Sequence, residues 1–162
     1  MFMGDWIDQL ASEEDRLRDQ FRHSQELYLC RVATIRAKLP SYIRLLKARF
    51  RDDIEKLRLK FPQDEKRHCM IQDRGELGFQ LSRQGPFPRV SVQVEFNIEG
   101  RFAEVVEETH SDPLGPIVET ARYELKVSLN DQDDLTLSRH DRGRFDSLAP
   151  LTEFLLRRVC AC

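Results

Sequence analysis

The residues best suited to chemistry are two histidines with carboxylate neighbours, His110-Ser111-Asp112 and His140-Asp141, both in turn-rich sequence. An imidazole held by a carboxylate is the raw material of general acid–base catalysis. Neighbours in a chain seldom face one another, however, and no nucleophile elbow or further triad member accompanies either pair. They read as structural or surface histidines, and no residue is assigned a catalytic role. Soft metal ligands are as sparse: His68-Cys69 and Cys160-Ala161-Cys162 carry the atoms tetrahedral zinc takes, in a spacing foreign to zinc knuckles. Asp131, Asp133 and Asp134 crowd one loop but lack the glycine and distal glutamate of a calcium loop. No metal and no cofactor is expected.

Two groups of cations could hold an anion. Arg139, Arg142 and Arg144 surround Gly143 between the last strand and the last helix, and guanidinium groups near a helix N-terminus suit phosphate or carboxylate. The bland alternative is a charged surface turn. Farther upstream, Arg36, Arg44, Lys47, Arg51 and Arg58 share one sector of a helical wheel beside an apolar stripe. Such a flank could follow a nucleic-acid backbone. It could equally be a solvated margin whose long stems cover apolar surface, and no stacking aromatic or glycine-rich motif accompanies it. A nucleic-acid partner is therefore possible and not favoured.

The stripe itself is the strongest pattern in the chain. Leu39, Ile43, Leu46, Phe50, Ile54, Leu57 and Phe61 step by four, three, four, four, three and four, which keeps them on one face of a helix. Upstream, Ile7, Leu10, Leu17, Phe21, Tyr28, Val32 and Ile35 continue a looser version, interrupted by Glu14 and Ser24. Pro40 lies between the halves, where a kink in one long helix or a break into a hairpin is expected. Charge divides along the same line. Residues 1–26 hold seven acidic and three basic side chains, a balance of -4, whereas 36–60 hold nine basic and three acidic, a balance of +6. That split suits an antiparallel arrangement within or between chains.

After Pro62 the period becomes two. Val90, Val92, Val94, Phe96 and Ile98 alternate with polar residues, as do Ala121, Tyr123, Leu125, Val127 and Leu129. Shorter versions occur at Leu77, Phe79 and Leu81 and at Leu135 and Leu137, with poorer strand patterns at 68–73 and 101–109. Strict alternation marks antiparallel strands with one buried and one wet face. Asp146 or Ser147 can cap a short helix running through Cys160. The expected fold is α+β: a helical arm over 1–62, then about six mostly antiparallel strands and a C-terminal helix over 63–162, together one domain.

Composition bounds the rest. The chain has 162 residues, 40% of them hydrophobic and 33% charged, with ten Phe to build a core. No stretch approaches the roughly 20 apolar residues of a membrane span, and the N-terminus lacks the basic and apolar regions of a secretory signal. Four scattered cysteines make no disulfide framework, so a reducing cytoplasm and no structural disulfide are expected.

Three functional readings follow. The first is a non-enzymatic interaction or structural module that forms a homodimer, or binds another protein, through the stripe Leu39, Ile43, Leu46, Phe50, Ile54 and Leu57. The second is a ligand-binding or hydrolytic domain of helix-grip-like build, with the sheet curved around a cavity. The third is a nucleic-acid-associated factor using the basic flank.

Overall fold

The computed structural model describes residues 4–141 and 143–160. A single helix, α1, runs from Asp5 to Lys60 without interruption at Pro40. The chain divides into two compact units, with the boundary inside α1 between Thr34 and Ile35. The first unit is the helical segment that ends at Thr34. The second holds the rest of α1, the sheet and the C-terminal helix.

In the second unit the strands are β1 (Cys69–Asp73), β2 (Gly78–Arg83), β3 (Arg89–Asn97), β4 (Phe102–His110), β5 (Ile117–Leu129), β6 (Leu135–Arg139) and β7 (Gly143–Phe145). They form one sheet in chain order, every strand antiparallel to the next. The architecture is the expected α+β, with seven strands rather than six. The additional strand is three residues long and begins at Gly143, whose φ of 82° favours glycine. So short a piece carries no alternation to read. Helix α2 follows from Leu148 to Cys160, where the capping residues place it.

The register sorts the sheet into two faces. Phe79, Leu81, Val92, Val94, Phe96, Ala103, Val105, Leu125 and Val127 are buried on one of them. Helix α1 lays Ile35, Leu39, Ile43, Leu46, Phe50 and Ile54 into the same core, and α2 adds Leu151, Leu155 and Val159. Leu39 and Ile43, on either side of Pro40, are fully buried. An internal proline costs a helix about 3 kcal/mol, an amount two such burials can offset. The helix therefore continues where local preference would end it.

Two polar devices tie the elements together. Thr120 is the extra residue of a bulge that shifts the β4–β5 register between Glu107 and Glu108, and its hydroxyl donates to the Glu107 carbonyl at 3.2 Å. The Glu107 carboxylate is buried and takes a bidentate pair from Arg158 of α2, at 2.5 and 3.0 Å. Without that partner the carboxylate would be an uncompensated buried charge.

Cys69 and Cys160 form a disulfide, joining the start of β1 to the last turn of α2 with a Cα–Cα distance of 6.6 Å. This corrects the expectation of no structural disulfide. The two cysteines are 91 residues apart, and only the folded sheet with α2 across it brings them together. The compartment argument built on scattered cysteines loses its footing with it. Among the described residues no helix is long and apolar enough to cross a membrane.

Candidate functional site

The stripe Leu39, Ile43, Leu46, Phe50 and Ile54 is buried in the core, with Leu57 partly buried against it. Its cover is the chain's own sheet, so the five buried residues present no free surface to a partner and only Leu57 keeps part of its side chain exposed. The same packing occupies the sheet face that a helix-grip cavity would need.

Four of the five residues of the basic flank meet separate partners, and Arg51 is exposed. Arg36 pairs with Glu99 at 2.9 Å, Arg44 donates to the Ser41 hydroxyl at 3.0 Å, and Arg58 lies 3.8 Å from Glu55. Lys47 is no flank residue: only 6% exposed, it sends its ammonium to Asp73 at 2.6 Å and to the Gly75 carbonyl at 2.7 Å. It thereby fastens the β1–β2 turn to α1. The Lys47 hydrogen bond, with the charges of Lys47 and Arg51 behind it, holds the Asp73 carboxyl below its ordinary range despite some desolvation. A depressed folded pKa contributes stability above the unfolded value and loses it as pH falls through the folded one. Thermal unfolding followed from neutral to acidic pH should therefore show a shallower acid loss in Asp73→Asn than in the parent. Identical acid limbs would remove the pair from the stability account.

The proposed anion site does not assemble. Ser138 and Arg144 are register partners and share a face, so Arg139, one residue along, lies on the other. Arg139 stacks over the Tyr123 ring at 3.9 Å and pairs with Asp141 at 2.7 Å, while Arg144 pairs with Asp146 at 2.5 Å. Arg142 lies outside the described residues.

Neither histidine pair forms an acid–base couple. The His110 ring bonds the Gly115 carbonyl at 3.2 Å and meets Phe87 edge-on, while Asp112 accepts from the Leu114 amide within its own turn. Beside His140, Asp141 is engaged by Arg139. In the 130–134 loop, Asn130 organises the turn by accepting from the Gln132 and Asp134 amides, each at 2.9 Å. Among the described residues no group of three or more His, Cys, Asp or Glu is placed to hold a metal ion.

One recess of about 360 Å³ lies between the end of α1 and α2, with Leu57, Phe61 and Leu156 among its apolar walls. Of its charged walls, Arg157 lies 3.0 Å from Glu153, and Asp53 takes Arg49 at 3.2 Å and the Thr152 hydroxyl at 3.2 Å, while Lys56 and Lys60 also line it. It contains no nucleophile–base pair.

The surface that stands out was visible in the sequence only as the looser upstream stripe. Trp6, Ile7, Leu10, Leu17, Phe21, Leu27, Tyr28 and Leu29 are all exposed, Phe21 at 69% and Trp6 at 62%. Scattered exposed leucines are ordinary, but eight large apolar side chains within one helical segment are not. The signal of this surface in the sequence is the spacing of Ile7, Leu10, Leu17, Phe21 and Tyr28, which Glu14 and Ser24 make weaker than the stripe downstream. No protein-family model, curated protein or solved structure matches this chain.

Proposed function

We propose that the chain is a non-enzymatic, self-associating interaction module whose helical segment Asp5–Thr34 pairs with a second copy of itself. The observation that carries this reading is the exposure of Ile7, Leu10, Leu17 and Phe21 along a segment that forms a compact unit of its own. A helix in water draws most of its stability from packing an apolar face, and isolated helices are marginal. Its acidic residues Asp5, Asp8, Glu13, Asp15 and Asp19 keep the rest of the surface soluble.

Multi-angle light scattering at tens of micromolar should report a dimer for the parent chain. Phe21→Asp removes one seam aromatic from each copy and substitutes a charge. Each buried Phe is worth about 1.5–3 kcal/mol, so the pair should raise the dimer Kd by at least about 100-fold. Circular dichroism should meanwhile show the sheet unit intact, because Phe21 lies outside it. A parent chain that stays monomeric at these concentrations would sink the proposal.

A further inference from the structure

We infer that the second copy lies antiparallel to the first, in the register that places Glu14 of each helix against the partner's Ser24. The inference rests on the self-association reading and adds orientation and register to it.

The first support is the period of the exposed stripe. Ile7, Leu10, Glu14, Leu17, Phe21, Ser24 and Tyr28 cover 21 residues in six steps of three or four, a mean of 3.5. That is the seam of a two-stranded coiled coil, with Ile7, Glu14, Phe21 and Tyr28 at a and Leu10, Leu17, Ser24 and Arg31 at d. The buried stripe from Leu39 to Phe61 covers 22 residues in six steps, a mean near 3.67, the habit of a straight helix laid on a sheet. One helix thus carries two periods, and only the downstream one is covered in this structure.

The second support is where the seam is polar. Glu14 and Ser24 lie five residues either side of Asp19. About that same centre Leu17 mirrors Phe21, Leu10 mirrors Tyr28 and Ile7 mirrors Arg31. An antiparallel coiled coil layers a positions against d positions, so this symmetry sets Leu17 against Phe21 and Leu10 against Tyr28, with the Ile7–Arg31 layer at the ends of the seam. It gives each Glu14 carboxylate a hydroxyl donor in the partner's Ser24. A parallel pair would instead set Glu14 against the partner's Glu14 inside the seam, two carboxylates facing each other in a partly dry layer.

Charge points the same way. Residues 5–19 carry six acidic and two basic side chains, residues 20–34 one acidic and two basic. Antiparallel pairing sets the acidic half against the mildly basic one, and parallel pairing sets acid against acid.

Cysteine cross-linking decides it. In a Cys30→Ser, Cys162→Ser background, Glu14→Cys and Ser24→Cys variants are prepared separately, both at exposed positions of the helix. Mixed under mild oxidation, the two should give a heterodimeric cross-link as the main product. Each variant oxidised alone should remain mostly uncross-linked. Self-cross-linking of either variant alone would establish a parallel pair and overturn the inference while leaving self-association in place. A dimer by light scattering with no cross-link in the mixture would overturn the register. A monomeric parent chain would instead fail the underlying reading, so the two failures are distinguishable.

Discussion

Phe50→Ala should cost this fold about 3–5 kcal/mol, the upper range for truncating a buried aromatic. Phe50 has no exposed surface, and its ring lies 5.1 Å from that of Phe79 on β2 at a tilt of 50°. Between them the two rings join α1 to the sheet at the middle of the core. Removal of one leaves a hole against the other within the buried cluster, which a helix held on either side by buried Ile43, Leu46 and Ile54 cannot collapse to fill. In guanidinium the midpoint should fall with little change in slope, because the surface exposed on unfolding is nearly unchanged. At about 2–4 °C per kcal/mol for a chain of this size, the melting temperature should drop by roughly 6–20 °C. An unchanged midpoint would mean that Phe50 does not sit under the sheet.

That result would also bear on how much of this structure the sequence contains. The alternations Val90–Ile98 and Ala121–Leu129 became β3 and β5, and the four-three stepping from Leu39 to Phe61 became the buried face of α1. Periodicity identifies a face; it does not identify what covers it. Hence the stripe could be read as an interaction surface, when the cover is the sheet of the same chain. The upstream stripe, weaker because Glu14 and Ser24 break it, is left exposed from Ile7 to Tyr28, and only its last members, Val32 and Ile35, are buried. Pro40 illustrates a second limit, since local preference argued for an interruption and tertiary burial on both sides of it prevailed.

Side-chain chemistry was least legible where the register decides it. Arg139 and Arg144 look adjacent in a loop of six residues, yet pairing of Ser138 with Arg144 turns them to opposite faces. Lys47 falls beside the apolar stripe on a wheel, and only the β1–β2 turn passing over it explains why its charge is buried against Asp73. In the same way, Glu107 reads as one more polar residue of a poorly alternating strand. Its burial follows from α2 crossing that end of the sheet with Arg158.

The cysteines pose the sharpest test of the fold. Reduction should lower stability by about 4–5 kcal/mol if the Cys69–Cys160 bond acts by closing a long loop. Cross-linking residues 91 apart removes chain entropy from the unfolded state in proportion to the logarithm of that separation. Native contacts would survive the reduction, because both cysteines are small, buried and part of the hydrophobic core. The change should therefore appear as a melting temperature lower by roughly 8–20 °C in dithiothreitol, with the far-ultraviolet spectrum at low temperature unchanged. Cys160→Ser should melt at the reduced temperature with or without dithiothreitol. Cys162→Ser should keep the full response, which separates the α2 residue from its neighbour two positions on. Cys30 is exposed and unpaired, so Cys30→Ser should alter neither curve. Equal melting temperatures in oxidising and reducing buffer would mean that the bond does not form in solution. The meeting of β1 with α2 would then rest on apolar contacts alone.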